Sequence, residues 1–231
     1  INKLGLPTFM FGLFFATMSI GNFIGSPLFG TLSDKKGRLK FLILGAIGYG
    51  ISQLGFGFNT NPILILIFRF TGGFFVVSYL TTSIAYLTDI TTKENRTKYI
   101  TYYAAARTIG GALGSLLGGI VGNNNFKYAF FFQFILCIIL ATLVYLLLEE
   151  PKRDKKNSSN ILTNKKVNYS TILNKNLILM FIIVIAFFFA ATSYNSTINY
   201  YIEDVLNLPP TFIGGFLAFV GQFGLYAIIS T

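Results

Sequence analysis

Charged side chains are scarce in this chain, and several of them stand where they can pair with one another. Asp34 and Arg38 lie four residues apart in Gly30-Thr31-Leu32-Ser33-Asp34-Lys35-Lys36-Gly37-Arg38-Leu39-Lys40, near enough along one short polar stretch for a carboxylate and a guanidinium to pair. Asp89 closes an apolar run in Tyr86-Leu87-Thr88-Asp89-Ile90-Thr91, with Glu94 and Arg96 following. Arg69 and Arg107 stand inside apolar runs that hold no carboxylate. This set offers charge pairing and charge–dipole attraction rather than acid–base turnover. There is no histidine, and the single cysteine, Cys137, lies in an apolar run, so neither a disulfide framework nor a metal cluster is expected within the chain. With no phosphate loop, nucleophile elbow or catalytic dyad in view, the residues point to no enzyme and no cofactor.

Such charges need elements to hold them. Of 231 residues, 53% are hydrophobic and only 11% charged, against about 25% in an ordinary soluble domain. Seven apolar blocks run over about 8–29, 41–58, 63–88, 99–122, 128–148, 177–198 and 211–229, each near the roughly 20 residues that cross a bilayer as a helix. Helix is required because an open sheet would leave backbone groups unpaired in lipid. The second block carries Gly45, Gly48, Gly50, Gly55 and Gly57, which suits close packing against neighbours.

The net charge of +10 does not imply a nucleic-acid partner, because it is confined to short loops between apolar blocks. Loops 30–40, 89–98 and 149–176 follow odd-numbered blocks and hold 14 of the 18 basic residues, which puts all three in the cytoplasm. The bilayer is therefore the expected partner. Loop 149–176 opens as a charged, Ser/Asn-rich linker as far as Asn160. From Ile161 to Asn174 it reads either as an interfacial helix or as an unstructured basic linker.

An internal repeat bears on organisation. Pro7-Thr8-Phe9, Gly12 and Gly21 recur 203 residues later as Pro210-Thr211-Phe212, Gly215 and Gly224. Chance likeness between Phe/Gly-rich helices is the alternative. If the repeat is real, the block at 211–229 answers the one at 8–29, and a helix is expected before Ile1. Two parallel six-helix sets would then be the plan.

The stretch Gly30 to Lys40 resembles the signature of the major facilitator superfamily, Gly-x-Leu-x-Asp-basic-x-Gly-Arg followed by Lys, except that the lysine falls one place late. Gly30 reads as a point of close helix approach and Gly37 as a tight turn; a solvated basic turn is the competing reading. The resemblance implies an all-α membrane bundle of two parallel six-helix repeats, with seven transmembrane helices present here. Residues 1–148 would be the N-terminal half-bundle (family helices two to six), 149–176 the central cytoplasmic loop, and 177–231 the start of the C-terminal half-bundle (family helices seven and eight). Gly30, Asp34, Gly37, Arg38 and Asp89 would form a conformational latch that closes the cytoplasmic side, as in the tetracycline- and multidrug-efflux branch.

The other motifs are less specific. Arg69 with Gly73 resembles the family's Arg-x-x-x-Gly element, although Gly72 stands where glutamine is common, and in proton-coupled members this arginine neighbours a titrating acid of the first helix. Buried arginine is costly, so Arg69 should face the bundle interior unless it snorkels outward. Gly110, Gly111, Gly114, Gly118 and Gly119 resemble the antiporter signature of the family's fifth helix, with Ser115 in place of proline and with Arg107 departing from the pattern. Generic small-residue packing explains these glycines equally. Asn22, Gln53, Gln133, Asn195, Asn199, Gln222, Tyr79, Tyr86, Tyr102, Tyr103 and Tyr194 could line a substrate cavity or bond between helices.

The resemblance thus implies a monomeric, multi-pass transporter of a bacterial cytoplasmic or an organelle membrane, exporting a small lipophilic molecule by alternating access with protons as coupling ion. An organic-anion carrier using Arg69 and Arg107, and a non-transporting scaffold or sensor, are the alternatives. In a Cys137→Ser background, cysteines placed at Lys93 and at Asn125 should label from opposite sides of the membrane. Labelling from one side would overturn the topology.

Overall fold

The computed structural model describes residues 9–123, 125–151 and 175–206, with 208, 209, 211, 212, 215, 216 and 219. Helix α1 spans Phe9–Lys36, α2 Arg38–Phe58, α3 Pro62–Ile90, α4 Arg96–Gly122, α5 Phe126–Leu147 and α6 Lys175–Tyr200. A short π-helical turn, Tyr201–Val205, continues α6. All six helices are long and apolar enough to cross a membrane. The expected seventh block, 211–229, falls mainly outside the described residues, and 152–174, read either as an interfacial helix or as an unstructured linker, falls wholly outside them. The chain divides into two compact units, one holding α1–α5 and the other α6.

Local chemistry sets the helix ends. Asn61 caps α3 by accepting from the Ile63 N–H at 2.9 Å, with Pro62 in the first turn where its missing N–H costs nothing. Asn125 caps α5 through the Lys127 N–H at 3.0 Å. Residues 30–40 are not the loop that hydropathy suggests: α1 runs through Asp34 and Lys36, and α2 starts at Arg38. Apolar composition ends where the lipid ends, but nothing in Ser33-Asp34-Lys35-Lys36 stops helical hydrogen bonding at a wet surface. Only Gly37 breaks the run, at φ +102° and ψ 146°, an extended positive-φ conformation that is close to glycine-only and costs other residues roughly 1–3 kcal/mol.

Within the five-helix unit, α3 is central. Helices α1 and α2 pack along it, α5 packs on α2, and α4 meets α5 and, more lightly, α3. Glycines set the spacing. A Cβ on Gly21 would overlap the Phe70 carbonyl, one on Gly73 the Met18 carbonyl, and one on Gly45 would lie 2.7 Å from the Tyr79 nitrogen. On the far side of α2, the place of a Gly50 side chain is taken by Cys137 and that of Gly57 by Phe130, both from α5. The glycines of α2 thus do what their number suggests. Gly30 does not: apart from its own helix, no described residue comes within 4 Å of where its Cβ would lie, and its carbonyl accepts from the Ser33 hydroxyl at 3.0 Å. The close approach of α1 occurs one to three turns earlier, at Gly21 and Gly25.

Aromatic and aliphatic side chains fill the ends of these seams. Phe29 of α1 is 4% exposed and stacks its edge against Phe74 at 4.7 Å between centroids, while Ile65, Met10 and Phe14 form a second buried cluster at the other end. Gly73→Leu should force α1 from α3 and lower stability by about 1–3 kcal/mol. Gly30→Ala should change it by less than about 0.5 kcal/mol. Thermal unfolding of the two purified variants in detergent measures the contrast, and equal melting shifts would overturn the packing argument.

Candidate functional site

Asp34, Arg38 and Asp89 meet at one end of the bundle. The Arg38 side chain is 8% exposed, and its guanidinium is shared by three partners. Nη2 lies 2.5 Å from Asp34 Oδ1, Nε donates to Asp89 Oδ2 at 2.9 Å, and Nη1 donates to the Ser33 hydroxyl at 2.7 Å. Ser33 is itself fully buried. A planar fork of five fixed donors can serve several acceptors at once, which a lysine could not do. The pairing with Asp89 crosses 51 residues of sequence and ties the end of α3 to the start of α2. Because Arg38 is buried, deleting one carboxylate leaves part of its charge uncompensated, at a cost of about 3–5 kcal/mol for a fully buried pair and less for the half-exposed Asp34.

A third acid joins the cluster. The Glu150 carboxylate accepts from the Arg38 backbone N–H at 2.5 Å and from the Leu39 N–H at 3.0 Å. These are the first free N–H groups of α2, where the helix dipole favours an anion. A Cβ on Gly37 would lie 3.1 Å from Glu150 Oε2, so the glycine supplies room for the cap as well as the turn. Next to it, the Tyr86 hydroxyl donates to the Glu149 carbonyl at 3.0 Å. Sequence reading assigned Glu149 onward to a flexible linker; its first residues are instead fastened to the Arg38 cluster. The available signal was two acids leaving an apolar block at the basic end of the molecule. Arg96 closes the neighbouring turn, with Nη2 donating to the Thr88 carbonyl at 3.4 Å.

The second group of charges is more dispersed. Arg69 turns inward along the α1–α3 seam and does not snorkel. Its guanidinium carbon lies 3.7 Å from the centroid of the Phe56 ring, and Nη1 lies 3.9 Å from the Met18 sulfur. Nε is buried with no acceptor among the described residues, and the Oδ1 of Asn22, one turn along α1 from Met18, is buried with no donor among them. Tyr79 packs by its backbone against Gly45 on the other face of α3. Gln133 donates to the Tyr49 hydroxyl at 3.2 Å, and Gln53 is buried within α2.

Arg107 is exposed on α4, which has no buried residue. A Cβ added at its neighbours Gly110, Gly111, Gly114 or Gly118 would meet no other element's atoms within 4 Å among the described residues, and Gly119 is half-buried. No described helix packs against that glycine face, whereas Gly73 is in tight contact. Arg69 and Arg107 are not brought together. The side chains of Asn195 and Asn199 on α6, and all of Gln222, lie outside the described residues.

Glu150→Gln should weaken the start of α2 by about 1 kcal/mol, since the amide keeps an acceptor but loses the charge facing the dipole. Hydrogen exchange at the Arg38 and Leu39 amides should speed up in that variant, and in Gly37→Ala. Unchanged protection of both amides would mean the carboxylate does not hold them.

Comparison with known proteins follows the same direction. The Major Facilitator Superfamily model matches residues 1–231. Over 121 residues the chain is 33% identical to Multidrug resistance protein 2 of Bacillus subtilis (strain 168), covering 52% of this chain and 30% of that protein. It is 30% identical over 121 residues to the class H Tetracycline resistance protein of Pasteurella multocida, covering 52% of this chain and 29% of that protein. The matches thus span about a third of the length of these curated relatives. The crystal structure of a D-xylose-proton symporter superposes with a TM-score of 0.66 at 20% identity, over 94% of this chain and 56% of that one, a likeness of fold alone. Six apolar helices, the Arg38 ion cluster in the first polar turn and a family match over the whole chain lead to one assignment: this is an integral, multi-pass membrane chain that belongs to the major facilitator superfamily.

Proposed function

We propose that the chain is part of a secondary active transporter that exports small lipophilic compounds against protons by alternating access. The observation that carries this reading is the cluster of Asp34, Arg38, Asp89 and Glu150, which joins the cytoplasmic ends of α1, α2 and α3 to the exit of α5. A cluster of opposite charges at a membrane surface does no chemistry, but it can hold one of two conformations and give way in the other. The names of the multidrug- and tetracycline-resistance relatives support efflux of lipophilic compounds. In this reading α1–α5 are family helices two to six within residues 1–148, 149–176 is the central loop, and 177–231 opens a second, parallel half. Arg69, with Asn22 beside its seam, contributes the coupling or substrate contact, and the titrating acid comes from outside the described residues.

One observation favours a second reading, an organic-anion carrier. Arg69 pairs with no carboxylate among the described residues, and its buried Nε keeps a free donor. Arg107, exposed beside a glycine face, would add positive potential on α4.

The test uses the full-length protein in everted membrane vesicles, with ethidium and tetracycline as probes and a protonophore as control. Both probes should be moved in a protonophore-sensitive manner. Asp34→Asn should reduce the rate at least tenfold while leaving membrane insertion intact, because the neutral amide loses its charge on Arg38. Wild-type rates in Asp34→Asn would remove the latch. Movement of an aromatic carboxylate in place of both probes, lost on Arg107→Ala with unchanged thermal stability, would establish the anion carrier instead.

A further inference from the structure

Phe56 carries no charge and matches no motif, yet it is the residue on which Arg69 rests. Its ring face lies 3.7 Å from the guanidinium carbon. The ring is held from two sides, edge to face, by Phe14 of α1 at 5.6 Å and 86° and by Phe130 of α5 at 5.3 Å and 74°. The glycines on either side let it sit there: Phe68 of α3 fills the place of a Gly55 side chain, and Phe130 fills that of Gly57. Gly55-Phe56-Gly57 therefore draws α2 against α3 and α5 and fixes one ring between three helices.

The consequence is electrostatic. A carboxylate beside Arg69 would neutralise it and occupy two of its N–H groups. An aromatic face attracts the cation through its quadrupole and occupies none. The Met18 sulfur is only a weak acceptor for Nη1, and Nε has none among the described residues. Arg69 is thus kept charged, oriented and rich in donors, a state that suits an incoming oxygen acceptor. We propose that Phe56 is the positioning residue for Arg69: its ring, where no described carboxylate lies against the guanidinium, holds that group ready for a carboxylate or other strongly dipolar oxygen brought by the substrate or by a moving helix. The inference rests on the reading of Arg69 as a coupling or substrate-contacting residue.

Two arms of one experiment separate that reading from this inference. In the full-length transporter labelled with ¹⁵N-arginine, the Nε–H resonance assigned by its loss in Arg69→Gln should show the upfield shift of a proton near a ring face. Phe56→Leu should abolish that shift and Phe56→Trp should keep it. In vesicles, with tetracycline as probe, Phe56→Leu should raise KM about fivefold to tenfold with little change in kcat, Trp should restore it, and Phe56→Leu should add nothing in an Arg69→Gln background. Should Phe56→Leu fail to fold, mono-, di- and trifluorophenylalanine at position 56 keep the shape and weaken the ring face stepwise, and KM should climb with each fluorine. A flat fluorine series, an unshifted Arg69 resonance, or equal Phe56→Leu effects with and without Arg69 would each overturn the role of Phe56. A shifted resonance with wild-type KM in Arg69→Gln would overturn the functional reading of Arg69 and leave the stacking geometry standing.

Discussion

Two apolar helices in a bilayer gain nothing by leaving water together, so α1 and α2 hold to α3 by dispersion contacts that need backbones brought close. Gly21, Gly25 and Gly73 provide that approach between α1 and α3, and Gly45 provides it between α2 and α3. Every polar arrangement described above depends on it. At the end that carries Arg38 the close seams bring the last turns of α1 and α3 within one arginine's reach of the start of α2. Toward the other end they press Met18 and Phe56 onto Arg69 from two different helices. A side chain at Gly73 would move both groups at once.

Arg38 and Arg69 illustrate two ways of keeping a guanidinium out of bulk water. Arg38 is matched by acids and a hydroxyl, and its own backbone N–H is matched by Glu150. Such a network is fully satisfied while assembled and costly when one member leaves, which is the energetic profile of an element with two states. Arg69 is matched by a ring face and a sulfur, and retains donors for something further. The first arrangement suits a contact that opens and closes, the second a contact that waits for a partner.

Glu150 alters the expected separation between bundle and loop. Because its carboxylate and the Glu149 carbonyl are both bound to the Arg38 neighbourhood, the path from α5 into the polar segment begins fastened to α2 and α3. A change that pulls on that segment acts directly on the start of α2. The cost of displacing the carboxylate is of the order of 1 kcal/mol, small enough for thermal opening and large enough to bias a conformational equilibrium severalfold.

The six helices were legible in the sequence because lipid allows few alternatives: an apolar block of sufficient length must be a helix, and basic residues collect at one end. The pairing of Asp34 with Arg38 was legible in their closeness along the chain, whereas the joining of Asp89 to them followed only from the resemblance to the family. What escaped were contacts whose partners have no common spacing. Glu150 lies 112 residues from the N–H it caps, and Phe56 is one phenylalanine among 26 until α1 and α3 select it. Glycine roles divided along the same line. The number of glycines in α2 foretold close packing, but Gly30 meets no other described helix while Gly21 and Gly73 touch backbone. Small size is written in the sequence; which small residue meets a neighbour depends on how the helices cross, and only the tertiary structure fixes that.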